Sequence, residues 1–76
     1  MDKVVITDPA GAAALVGARL AVIVAGADGR AVGDAVAALR SAGQPAAGWV
    51  GDPSEPAVRE MAAELFPGAE VVAGES

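Results

Sequence analysis

Three aspartates, Asp8, Asp28 and Asp52, each follow an apolar run and precede a helical pattern. If those runs are parallel strands, the three carboxylates meet at one sheet edge. Oxygen ligands of that kind suit a hard cation such as magnesium. A metal site on Asp8, Asp28 and Asp52 is therefore one chemistry open to this chain. The simpler reading is architectural. An aspartate ahead of a helix accepts a hydrogen bond from a free N–H of the first turn. Capping accounts for all three positions with no ligand.

Anion binding is the second chemistry. Gly26, Gly29 and the start of the following helix offer free N–H groups, and Arg30 adds a charge. A ligand site at this edge would draw on Gly26, Asp28, Gly29, Arg30, Asp52 and Ser54. The glycine spacing at Gly26, Gly29 and Gly33 is neither the dinucleotide fingerprint nor the P-loop. Asp28 and Asp52 would repel phosphate, so an ordinary strand-to-helix turn is the plainer account.

Catalysis finds little support. The chain has no histidine and no cysteine, so the usual nucleophile–base pairs are missing. Ser41, Ser54 and Ser76 have no evident base. Glu55, Glu60 and Glu64 read as the wet side of a helix. The inventory leans away from an enzyme without deciding the matter: activity would require a composite site shared between subunits or with a partner chain, and no cofactor is expected.

The elements that place these residues centre on Leu20–Gly43. Leu20 to Ala25 is a nearly all-apolar run with Val22, Ile23 and Val24, the pattern of a strand covered on both faces. Gly26-Ala27-Asp28-Gly29 breaks it. From Arg30, Val32, Ala35, Val36 and Leu39 repeat at i, i+3, i+4, i+7 and share one helical face. Gly43 stands where a left-handed C-cap is wanted. Strand, Gly26-Ala27-Asp28 and helix, over Val24 to Leu39, resemble the opening unit of several flavodoxin-like folds. The small sheet domains of anticodon-binding and mutase type are examples. The resemblance implies a topology and carries no function.

The flanking segments repeat the design. Lys3 to Thr7 is a first strand, and Asp8-Pro9 starts a helix over Ala10–Ala18, with Leu15 and Val16 facing inward. Ala46 to Val50 is a third strand, weakened by Gly48. A third helix starts at Asp52 or Ser54, where Asp52 and Glu55 have capping-box spacing. Pro56 disfavours helical geometry at Glu55. Val58, Met61, Ala62 and Leu65 form the inner face of this helix. Pro67-Gly68 ends it, Ala69 to Ala73 is a fourth strand, and Gly74-Glu75-Ser76 is a frayed end. The order β-α-β-α-β-α-β predicts a single small three-layer α/β domain over residues 1–76, Rossmann- or flavodoxin-like, with a mainly parallel four-stranded sheet.

Composition sets the remaining bounds. Hydrophobic residues make up 54% of 76, yet many are alanine, which buries little area. A monomeric core of this size seldom nets more than roughly 3–5 kcal/mol. That favours association. The expected function is a non-catalytic interaction or self-assembly module, partnered by a second copy or a larger protein. Trp49 and Phe66 are the candidate interface anchors, although Trp49 under a helix would equally fill a core. The net charge of −5 argues against nucleic acid and anionic membranes. Ala10 to Ala27 is long enough to raise the question of a membrane span, but Arg19 sits in its middle, where a charge costs about 2.5–3.5 kcal/mol. The acidic start and Arg19 also exclude a secretory leader. A soluble, cytoplasmic protein is expected.

Overall fold

The structure, a computed structural model, describes residues 3–73. The expected frayed end at 74–76 lies outside them. Along the chain run β1 (Lys3–Thr7), α1 (Pro9–Ala14), β2 (Ala21–Gly26), α2 (Gly29–Ser41), β3 (Ala46–Val50), α3 (Pro56–Leu65) and β4 (Glu70–Ala73). All pairings are parallel, and the strand order is β3-β2-β1-β4. This is a small α/β fold of Rossmann or flavodoxin-like type.

The strand order, joined by right-handed crossovers, decides which face each helix covers. Crossovers from β1 to β2 and from β2 to β3 step the same way, so right-handed connections put α1 and α2 on one face. The crossover from β3 to β4 steps back across the sheet and puts α3 on the other. Two clusters result. Val22 and Val24 pack with Ala12, Val32, Val36 and Leu39 on the α1/α2 face. Val4, Ile6, Ala21 and Ile23 pack with Val58 and Ala62 on the α3 face. β2 feeds both layers, and Ala21 to Ala25 are all fully buried. Covering on both sides is why this strand reads as an unbroken apolar run.

α1 is shorter than expected. It ends at Ala14, and the chain turns through Gly17 at φ 92°. Leu15 still packs on the core, but Val16 points to solvent. A left-handed residue ends a helix, and glycine adopts that conformation without strain.

α3 starts later than Asp52 or Ser54. Glu55 is its N-cap with extended backbone (ψ 137°), and Pro56 takes the first helical position. Proline excludes helical geometry from the residue before it, and its missing N–H costs nothing at a helix start. Val58, Met61 and Ala62 form the inner face as expected, and only its last position differs. Leu65 is exposed, and Phe66 packs on the α3-face cluster instead.

α2 ends as anticipated at Gly43. The Gln44 amide donates to the Leu39 carbonyl (3.0 Å) and the Gly43 amide to the Arg40 carbonyl (2.9 Å), with Gly43 at φ 81°. This is a Schellman closure. Beyond it, the buried side chain of Gln44 accepts from the Gly17 amide (2.7 Å) and donates to the Leu15 and Leu20 carbonyls.

Candidate functional site

The strand carboxyl ends hold the sequence-predicted residues, and local bonds occupy their polar groups. Asp8 caps α1, accepting from the Gly11 amide at 2.6 Å. Asp28 caps α2, accepting from the Arg30 and Ala31 amides at 3.0 and 3.5 Å. Gly26 ends β2, and its carbonyl takes the Gly51 amide at 2.9 Å. Among the described residues no three acidic, histidine or cysteine side chains gather closely enough to share a cation. Asp8, Asp28 and Asp52 thus stay at three separate turns.

Asp52 does not cap α3. Its carboxylate accepts from the Ser54 amide (2.8 Å) and hydroxyl (2.7 Å), folding the turn upon itself. These two bonds, the amide first, hold the exposed Asp52 carboxyl below its ordinary pKa. Half of the expected capping box survives: Glu55 Oε1 accepts from the Asp52 amide at 3.3 Å.

A concave feature lies elsewhere, on the outer flank of β3. It is an open groove of about 670 Å³ between β3 and α2. Gly48 and Val50 form one side, and Val32 and Val36 the other. Gly29, Gly33 and Ala37 form its rim at steps of one helical turn, and Arg40 closes one end. Glycine at position 48 permits the close approach. A Cβ there would stand 2.8 Å from Val32 Cγ1 and 3.3 Å from Val36 Cγ2.

Protein-family models, curated proteins and solved structures were compared with this chain, and none matches it. The site's chemistry therefore rests on its own geometry. β3 is an edge strand. Its ladder to β2 is bracketed by the Val22 amide on the Pro45 carbonyl and the Gly51 amide on the Gly26 carbonyl. Backbone polar groups alternate sides along a strand, so Ala47 and Trp49 also face β2. Ala46, Gly48 and Val50 then turn their N–H and C=O groups outward. Arg40 covers the Ala46 carbonyl through Nε (3.3 Å) and Nη2 (2.9 Å). Unpaired edges are usually guarded by charges, proline or a bulge. The other edge strand, β4, begins with exposed Glu70, whereas Ala46–Val50 carries no charge at all.

Trp49 lies on the opposite side of β3, half-buried against the α3-face cluster, as does Phe66. The indole crosses Gly51: a Cβ at that glycine would come within 2.6 Å of Trp49 Nε1. Nε1 is buried and has no hydrogen-bond partner among the described residues. Sequence reasoning missed the groove. Its traces were the i, i+4, i+8 spacing of Gly29, Gly33 and Ala37, and a lone glycine inside a strand, which marks close approach of another element.

Proposed function

We propose that this chain is a non-catalytic protein-interaction module whose working surface is the free edge of β3 and the groove beneath α2. One observation carries the reading: an edge strand with no charge of its own lies open at Gly48 and Val50 beside an apolar groove of about 670 Å³. An added strand would take its backbone hydrogen bonds from Gly48 and Val50. Its side chains on the α2 side would enter the groove. Main-chain bonds of this kind give affinity, and pockets for alternate side chains give selectivity. Val50, which lines the groove, is 65% exposed and free to be covered by an added strand. A chemistry-bearing alternative has weaker footing. Histidine and cysteine are absent from the sequence, and the carboxylates of Asp8, Asp28 and Asp52 are committed to backbone amides.

The test is an amide chemical-shift titration with a short synthetic peptide of alternating valine and threonine at millimolar concentration. Shifts should concentrate at Gly29, Gly33, Gly48 and Val50. Gly33→Leu fills the groove from a position with open space around it and should abolish them while the fold persists. Shifts scattered over the surface, or unaffected by Gly33→Leu, would refute the reading.

A further inference from the structure

We infer that the strand taken up by the β3 edge is the β3 edge of a second copy of this chain, antiparallel and centred on Gly48. This rests on the interaction-module reading above and names its occupant. The outward-facing residues are Ala46, Gly48 and Val50, by the alternation that the Pro45 and Gly51 hydrogen bonds set. A two-fold axis at Gly48 places each of them opposite another outward-facing residue. Gly48 meets Gly48 of the second copy, and Ala46 meets Val50 of the second copy twice. All three pairs can then exchange both N–H···O bonds, the Ala46 carbonyl accepting the Val50 amide on its second lone pair beside its own Arg40. A two-fold interface needs a surface complementary to itself, and this edge satisfies that condition without a shift in register.

Charge favours the antiparallel arrangement and disfavours the parallel one. α2 runs back along β3, so Arg40 stands at the Ala46 end, with its guanidinium on the Ala46 carbonyl. The Val50 end carries Asp52 and Glu55 together with Asp28 and Arg30 around the start of α2, a net negative group. Antiparallel pairing brings Arg40 of each copy beside the Asp52 end of the other, twice over. Parallel pairing would set Arg40 against Arg40 and Asp52 against Asp52. The side chains agree. On the α3 side, Trp49 falls opposite the small Ala47 of the second copy. On the α2 side, each Val50 meets Ala46. Bulk faces little on both surfaces of the extended sheet.

Sedimentation equilibrium on the full chain, from micromolar to millimolar concentration, gives the stoichiometry. A charge swap gives the arrangement. Arg40→Glu and Asp52→Lys should each weaken the dimer about tenfold, because each makes two like-charged contacts. Mixing the two variants should restore the original affinity, since each mixed pair regains both opposite-charge contacts. In the unaltered chain, the Gly48 and Val50 amides should exchange more slowly with solvent as concentration rises, which needs no variant to fold. A dimer indifferent to the swap, without protection at Gly48 and Val50, would overturn the inference. A chain monomeric at every concentration would overturn it as well. The peptide titration then separates the two claims. A monomer that still binds the valine–threonine peptide at Gly48 keeps the module and loses the second copy, and one that does not loses both.

Discussion

The Gly17 amide and the Gln44 side-chain oxygen, 27 positions apart in the sequence, are joined by a 2.7 Å hydrogen bond. The same side chain donates to the Leu15 carbonyl at 3.1 Å and the Leu20 carbonyl at 3.4 Å. One buried amide thus pairs three backbone groups of the loop between α1 and β2. Leaving such groups unpaired costs about 1–3 kcal/mol. Gln44→Ala should destabilise by that amount, read in urea as a lower midpoint with an unchanged slope. Gln44→Glu keeps the acceptor but loses the donor, and at neutral pH it should cost at least as much.

Gly48 sets the spacing between α2 and the edge strand. Gly48→Ala would push a methyl group against Val32 Cγ1, and overpacking of this kind costs about 1–3 kcal/mol. Val32→Ala removes the obstructing atoms at its own cavity cost. The double variant should therefore lose less than the two singles added together. A strictly additive result in a double-mutant cycle would show that the two residues do not touch.

Gly33 lies mid-helix, with nothing within 4 Å of an added Cβ. Gly33→Ala should raise stability by about 0.8–1 kcal/mol through helix propensity alone. The methyl group would project toward the groove rim. Stability and strand uptake should therefore move in opposite directions, measured by thermal melting and by the peptide titration.

The aspartate caps distinguish architecture from metal chemistry. Asp28→Ala removes the acceptor for two amides of a 13-residue helix and should cost about 0.5–2 kcal/mol. Asp28→Asn, an equally good cap, should restore most of that. Millimolar magnesium should leave the melting temperature of the unaltered chain unchanged. A rise in melting temperature that Asp28→Asn abolishes would return this turn to the status of a cation site.

Asp52 gives the chain an acid-sensitive turn. Its folded carboxyl titrates below its unfolded value, chiefly through the Ser54 amide and secondly through the Ser54 hydroxyl. The stabilising contribution is complete above the unfolded value and is lost as pH falls through the folded one. Ser54→Ala removes only the hydroxyl, so the Asp52 carboxyl resonance should titrate at a higher pH yet still below the ordinary value. Ser54→Pro removes both donors and should abolish the depression.

Much of the architecture was legible in the sequence because local chemistry dictated it. Val22 to Val24 could only be a strand covered on both faces. Asp8-Pro9 and Asp28-Gly29 could start helices without help from distant residues, and Gly43 could end one. The local rules failed where two of them competed. At Asp52, a capping aspartate met Pro56, which excludes helical backbone at Glu55, and the proline won. At Leu65 and Phe66, helical periodicity gave way where the helix ended, and Phe66 reached the core instead.

The working surface was not legible in this way. By itself the sequence determined which segments are strands and helices, and that successive strands run parallel, because periodicity, capping and short crossovers act within a few residues. Only the tertiary structure decided that β3 lies at an edge, that Gly48 faces α2, and that Gln44 closes a distant loop. Those outcomes depend on the order of strands in the sheet. That order is set by which apolar faces find one another across the whole sheet, and it leaves no mark on neighbouring residues.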